Sequence, residues 1–164
     1  MLIKLSVIAL VLAGLGLALR LYMGRAAEDR LRAGEAIDIR DLRDPIPGNA
    51  FLACPPDYCA AIAAPSPIFE VPVERLVRDW MTLMAGEPRV AIAADDSARR
   101  RLVVIQHTAL LRFPDVVTVE FVTLSPDRSS LAIYSRARYG RGDFGTNRRR
   151  VLAWLGQIAQ LAGQ

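Results

Sequence analysis

From Arg89 to Tyr139, apolar residues recur at every second position, and this alternation constrains the fold more than any other feature. It predicts four strands, over residues 89–95, 101–113, 115–124 and 129–139. Alternation has this meaning because successive side chains of a strand point to opposite faces of a sheet. The connections between the runs are short and rich in Asp, Pro and Ser, which is typical of turns. Short connections favour an antiparallel four-stranded meander.

The apolar spacing on either side of these strands is helical instead. A first helix is predicted to begin at Pro72, a residue favoured in a first turn, and to end at Gly86 and Pro88. A second begins at Thr146 or Asn147, either of which can accept backbone N–H bonds. The two apolar stripes comprise Val73, Leu76, Val77, Trp80, Leu83 and Met84, then Val151, Trp154, Leu155, Ile158 and Leu161. Both helices are expected on one face of the sheet, which makes an α+β domain.

The same alternation assigns the two faces of the sheet. The face expected under the helices carries Val103, Ile105, Ala109, Leu111, Phe113, Val117, Val119, Phe121, Leu131 and Ile133, and His107 shares it. The opposite face is expected to be polar and open, with Gln106, Thr108, Arg112, Thr118, Glu120, Tyr134, Arg136 and Arg138. On that polar face Glu120 could pair with Arg136 or Arg138 across the strands.

An apolar stretch near the N-terminus has no charge from Leu5 to Leu19 and continues to Met23. Its length is enough to span a hydrocarbon core of about 30 Å. Lys4 and Arg20 lie near its ends, where their side chains can reach the interface. A cleaved signal peptide is the rival interpretation, but arginines crowd the small residues at 24–26. We therefore predict an uncleaved transmembrane anchor over residues 1–24.

The anchor is followed by residues 25–46, which mix both charges and are predicted to link it to a domain over 47–164. Cys54 and Cys59 then lie in ACPPDYC. They can form a disulfide if their Cα atoms come within about 7 Å, and two reduced thiols are the alternative. Two cysteines with His107 as the one histidine cannot form a four-ligand thiolate metal site, and no cofactor is expected.

Two signals disagree about the location of the domain. Basic residues are more numerous after the apolar stretch than before it, which favours the cytoplasm. A disulfide would favour an oxidising compartment. We expect a single-pass inner-membrane protein of a bacterial cell envelope, with its domain in the periplasm.

The stretch from Ser135 to Arg150, SRARYGRGDFGTNRRR, contains six arginines, three glycines and one aspartate. Three arginines in the first turn of a helix oppose the helix dipole and therefore need anionic partners. Either Asp143 locks the turn, or the helix start holds an external anion. The candidate ligand-binding residues are Arg136, Arg138, Asp143, Asn147, Arg148 and Arg150.

This stretch resembles the C-terminal signature of the bacterial domain-of-unknown-function family 1499, in which a Gly-Asp turn precedes Asn-Arg-x-Arg. The segment HTALLRFPDVVTVEF, with Arg112 to Asp115, is similar to the Arg-Phe-Pro-Asp block of that family. Cys54 and Pro55 are similar to its beginning, although CPPDYC departs from the usual Pro-Asn-Cys. The resemblance covers about 47–161. It implies a small α+β domain, often membrane-attached, with no known reaction or ligand.

We predict a non-enzymatic, membrane-anchored domain that binds a protein partner or an anionic ligand, such as a lipid head group, through the arginine-rich turn. A hydrolase that uses His107 with Asp115 and Asp143 is the alternative, and it requires an open cleft. A structural subunit of a membrane complex is a third interpretation. Nucleic-acid binding is not expected, because the sequence contains no aromatic and basic motif of a known module.

Overall fold

The computed structural model describes residues 8, 11–19, 21–22, 37–109 and 112–163. From residue 37 onward the described chain forms one sheet, two α-helices and two short 3₁₀ helices. The strands are β1 Ala50–Cys54, β2 Ala64–Pro65, β3 Ile68–Phe69, β4 Val90–Asp96, β5 Arg101–His107, β6 Pro114–Ser125 and β7 Arg128–Ala137. The α-helices are α1 Val73–Gly86 and α2 Thr146–Ala162, and the 3₁₀ helices are Ile39–Asp41 and Ser97–Arg99.

The sheet contains seven strands in the order β2-β1-β7-β6-β5-β4, with β3 also paired to β7. It is mixed, because β1 and β2 are parallel while the other pairs are antiparallel. The predicted four-stranded antiparallel sheet is therefore wrong. The sequence did not indicate β1, β2 and β3 because two of them have only two residues and β1, AFLAC, lacks polar alternation.

The main core lies between the helices and one face of the sheet. Val73, Leu76, Trp80 and Met84 of α1 and Val151, Trp154, Leu155 and Ile158 of α2 are buried there. The Trp80 ring lies edge-on to Trp154 at a centroid distance of 5.8 Å and to Phe121 at 6.3 Å. Edge-to-face contacts of this kind add to the free energy of burying the rings. This core fixes α2 across the end of β7, where the candidate site lies.

The face assignment of β5 differs from the prediction. Leu102 and Val104 pack against the helices, whereas Val103 and Ile105 lie on the opposite face. The sequence LVVI is apolar at four consecutive positions, so alternation could not distinguish the two faces. His107 pairs with Pro114 and shares the face of Ile105, away from the helices. The strand ends there, so the predicted extension to 113 is also wrong.

The face predicted to be open is covered over β1 and β7 by residues 37–49 and 55–63; together with β1, which lies between them and belongs to the sheet, we call these residues the arm. Ile39, Leu52 and Ala61 of the arm pack on Ala132 and Tyr134 of β7. A disulfide joins Cys54 and Cys59 within the arm, with Cα atoms 6.2 Å apart. Residues 37–46, assigned to the linker from sequence, are part of this layer, while 25–36 lie outside the described residues. The sheet is thus covered on both faces.

The predicted transmembrane anchor over 1–24 is wrong. Across residues 8, 11–19 and 21–22, no described helix is long and apolar enough to cross a membrane. The rest of 1–24 lies outside the described residues. The single-pass inner-membrane localisation depended on this anchor and is corrected with it.

Candidate functional site

Asp143 caps the start of α2. One carboxylate oxygen, Oδ1, accepts the backbone N–H of Gly145 at 2.9 Å, and Oδ2 accepts that of Asn147 at 2.7 Å. Burial opposes ionisation of Asp143, but these N–H groups outweigh it and hold the pKa of the carboxyl below its ordinary value. The negative charge at this helix start is therefore supplied by the chain itself. The caps expected from sequence, Thr146 and Asn147, are both inside the helix.

Arg150 connects α2 to the three strands beneath it. Its Nε donates to Gln106 on β5, its Nη2 to Asp115 on β6, and its Nη1 to Ser135 Oγ on β7 at 3.0 Å. The side chains of Arg150 and Asp115 are 7% and 6% exposed. Burial raises the pKa of the Asp115 carboxyl more than the Arg150 guanidinium lowers it. Arg150 is therefore an internal cation, directed away from solvent.

Asn147 completes this set of contacts. Its Oδ1 accepts from Ser135 Oγ at 2.6 Å, and its Nδ2 donates to the carbonyl oxygen of Asn49 at 2.9 Å. Asn49 in turn donates to the carbonyl oxygen of Gly140 at 2.8 Å. We call the linked side chains the corner network, which comprises Asn49, Gln106, Asp115, Ser135, Asp143, Asn147 and Arg150. Through these hydrogen bonds, the turn after β7 and the start of α2 contact Asn49, just before β1, and the end of β5.

The six predicted ligand-binding residues divide into three groups. Asp143, Asn147 and Arg150 belong to the corner network. Arg136 and Arg138 are half-buried, and Arg136, paired with Val116, lies on the arm side of the sheet. Arg148 is exposed on α2. The structure therefore does not bring the four arginines together on one surface.

Two exposed residues that sequence reasoning missed belong to the same stretch of sequence as Arg148. The Phe144 side chain is 97% exposed, and its backbone has a φ of 52°. Arg141 is also exposed, and no described carboxylate forms an ion pair with Arg141 or Arg148. We call Arg141, Phe144 and Arg148 the turn surface. An aromatic residue inside a glycine-rich turn was the available signal, because such a turn has no core to receive the ring.

A second buried charge cluster lies on the arm side of the sheet. Glu120 Oε1 accepts from Arg101 Nε at 2.9 Å and from the backbone N–H of Ile39 at 3.3 Å. Its Oε2 accepts from the Tyr58 hydroxyl at 2.9 Å, and Arg101 also pairs with Asp38 at 3.0 Å. We call Asp38, Tyr58, Arg101 and Glu120 the arm network. Burial and the hydrogen bond to Glu120 raise the pKa of Tyr58 to about 12.

The residues of the hydrolase interpretation do not line an open cleft. His107 is 3% exposed and Asp115 is 4% exposed. They also lie on opposite faces of the sheet, with Asp115 under α2 and His107 facing away from it. Within residues 37–109 and 112–163, no cluster of three His, Cys, Asp or Glu side chains could hold a metal ion. The geometry gives this part of the chain no support for hydrolysis.

A family model described as a protein of unknown function, DUF1499, matches residues 55–158, well over half of the chain. The chain belongs to the DUF1499 family. The resemblance seen in the sequence is thereby confirmed. A search of curated proteins gives no match.

The two motifs that carried the DUF1499 resemblance meet in space. Asp115 ends the Arg-Phe-Pro-Asp block, and Arg150 ends the Asn-Arg-x-Arg block; the two side chains form the central ion pair of the corner network. Asp143, in the Gly-Asp turn, caps the helix that carries Arg150. In this chain the signature residues therefore build the join between the last strand and the last helix, and they leave the turn surface exposed.

Proposed function

We propose that the protein is a non-enzymatic binding domain that recognises an acidic segment of a protein partner through the turn surface. The observation that carries the proposal is the fully exposed ring of Phe144, which lies in sequence between Arg141 and Arg148, two exposed arginines that pair with no carboxylate in the described part of the chain. Aromatic residues and arginine are enriched among the residues that dominate binding energy at protein interfaces.

The position of Phe144 supports a binding role because its backbone is held in place. Asp143 binds the N–H of Gly145 on one side, and Arg149 Nη1 donates to the Phe144 carbonyl oxygen at 2.9 Å. A residue whose backbone is held in this way loses little backbone freedom when a partner covers its ring. A non-glycine residue with a φ of 52° is also a strained position that needs such support.

The charge of the turn supports an acidic partner. Six arginines lie between 136 and 150, against Asp143 and the buried Asp115 with which Arg150 pairs. Asp143 already occupies the start of α2, so the anionic groups of a partner would contact the guanidinium groups of Arg141 and Arg148 instead. Contacts of this kind weaken as salt screens them.

The proposal is tested with an array of short synthetic peptides in which acidic, basic or neutral residues flank one apolar residue. Wild-type protein is expected to bind the acidic peptides, less tightly as salt increases. Phe144→Asn removes the ring but keeps a residue that tolerates positive φ, and it should weaken binding by about tenfold. Arg141→Glu with Arg148→Glu should abolish it.

Matched controls separate this surface from general effects. Ile62→Ala removes another exposed apolar side chain, 82% exposed in the arm, and Arg78→Glu reverses an exposed charge on α1. Both should leave peptide binding unchanged. A wild-type protein that does not prefer acidic peptides, or an Arg141→Glu, Arg148→Glu variant that binds them normally, would falsify the proposal.

A further inference from the structure

The Cys54–Cys59 disulfide closes a short loop that carries Tyr58 of the arm network. Cys54 is the last residue of β1, and Cys59 follows Tyr58 directly. The backbone N–H of Tyr58 donates to the carbonyl oxygen of Pro55 at 3.4 Å, which is long for such a hydrogen bond. The position of the loop therefore depends on its covalent closure and on the Tyr58 side chain.

The Tyr58 side chain links this loop to the buried charges of the arm network. Its hydroxyl donates to Glu120 Oε2 at 2.9 Å, and the Arg40 guanidinium lies over its ring, 5.4 Å from the centroid. Glu120 is 2% exposed, so its Oε2 needs a donor within the protein. Ring closure holds Tyr58 near this acceptor, because it removes most of the conformations that an open loop would sample. The disulfide and the Tyr58–Glu120 hydrogen bond therefore stabilise each other.

The two cysteines differ in their access to solvent. Cys54 is 5% exposed, whereas Cys59 is half-buried. A cleft of about 270 Å³ lies against the disulfide, and its lining includes both cysteines together with Pro55, Asp57 and Pro65. A small thiol can therefore approach the bond through this cleft. Because the rate of thiol–disulfide exchange depends on access, attack is favoured at the more exposed residue, Cys59.

We propose that the Cys54–Cys59 disulfide is a thiol–disulfide exchange site, and that its reduction by a dithiol releases Tyr58 from Glu120. The thiolate of the reductant attacks the sulfur of Cys59, and the sulfur of Cys54 leaves as a thiolate. The second thiol of the reductant then attacks the mixed disulfide and displaces Cys59. The reductant is thereby oxidised to its own disulfide, and its two electrons and two protons end on the two cysteines.

Reduction of the folded full chain with dithiothreitol, without denaturant, tests the exchange site. Alkylation followed by mass measurement should show both cysteines freed, and the backbone amides of residues 57–60 should then exchange hydrogen at least about tenfold faster. The backbone N–H of Asn147, bound to Asp143 in the corner network, is the internal control and should keep its rate. A disulfide that resists dithiothreitol until the protein is unfolded, or a loop whose exchange does not change on reduction, would overturn the proposal.

A second experiment tests the link to Glu120, because coupling between two sites must be reciprocal. Tyr58→Phe removes the hydroxyl that donates to Glu120, and it should shift the equilibrium with dithiothreitol toward reduced protein by about fivefold. Tyr139→Phe, which removes a hydroxyl from the turn after β7, is the matched control and should leave the equilibrium unchanged. An equilibrium for Tyr58→Phe equal to that of wild type would overturn the release of Tyr58, however fast the disulfide is reduced.

Discussion

The two buried charge networks lie on opposite faces of the same sheet and are built differently. In the corner network, Arg150 has one carboxylate partner, Asp115, and otherwise contacts neutral amide and hydroxyl oxygens. In the arm network, Arg101 lies between two carboxylates, those of Glu120 and Asp38. A buried ion with one counter-charge depends entirely on it, whereas a shared ion retains a partner when one is lost.

The two networks also join different elements. The corner network links the start of α2 to the strands beneath it and to Asn49, with contacts that range from four residues apart in sequence to 98. Tyr58 and Glu120 are 62 residues apart, and Ile39 and Glu120 are 81 apart. The corner network therefore fixes one helix to its sheet, and the arm network attaches a separate layer. Three substitutions, in order of expected effect, test this comparison.

The largest effect is expected from Asp115→Asn, which leaves the Arg150 cation buried without a counter-charge. We expect the free energy of unfolding, measured by urea titration, to fall by about 3–5 kcal/mol. Glu120→Gln should lower it by only about 1–3 kcal/mol, because Arg101 keeps Asp38. Adding Arg150→Met to Asp115→Asn should recover part of the loss. An equal or larger loss for Glu120→Gln would show that Asp38 does not share the charge of Arg101.

A smaller effect is expected from Tyr58→Phe, which removes the hydroxyl that donates to Glu120. The free energy of unfolding should fall by about 1.5 kcal/mol near neutral pH. Because the pKa of Tyr58 rises from 10.0 unfolded to about 12 folded, this stability is fully present below pH 10.0. It declines as pH rises from there through about 12. Titration of tyrosinate absorbance in wild type and Tyr58→Phe checks the shift, and a phenol that titrates near 10.0 would contradict it.

The smallest effect is expected from Asp143→Ala, which removes the cap of α2 and should lower the free energy of unfolding by about 1 kcal/mol. Since the folded pKa of Asp143 lies below 3.8, its contribution is present above that pH and is lost as pH falls through the folded pKa. The corner network thus loses this contribution in acid, whereas the Tyr58 contribution is lost in base. Urea titrations of wild type and Asp143→Ala across the acid range measure how the free energy of unfolding depends on pH. Asp143→Asn is the control, because an asparagine can still accept a backbone N–H but carries no charge. If the difference in free energy of unfolding between wild type and Asp143→Ala persists unchanged in strong acid, the ionised carboxylate does not stabilise the helix start.

The two helices and the strands β4 to β7 could be located from the sequence because their apolar residues follow a clear period. The arm layer could not, because its short strands and prolines carry no period and its contacts depend on pairing across long distances. The face of β5 was assigned wrongly for a related reason: four consecutive apolar residues fit either face. The anchor was inferred from hydropathy alone, and none of the described helices is long and apolar enough to cross a membrane.

The candidate site was anticipated in composition but not in arrangement. The sequence indicated that Asp143 and the arginines around it belong together, but it could not indicate that Arg150 points inward to Asp115, 35 residues away. Nor could it separate Arg148 from Arg136, because their directions depend on which side of β7 and α2 each occupies. The exposed ring of Phe144 was overlooked because an aromatic side chain is ordinarily assigned to a core.

The contacts of the arm determine how far the N-terminal side of the chain can be shortened before the domain loses part of its core. Composition alone does not reveal this boundary. Ile39 is fully buried against β7, and its backbone N–H is bound to Glu120. A fragment begun at Pro47, where the mixed-charge stretch gives way to prolines, would lack both Ile39 and Asp38. The surface of β7 that Ile39 covers would then be open to solvent. Because this surface is apolar, such a fragment should aggregate and precipitate. A shortened version intended for expression would have to start no later than Ile37.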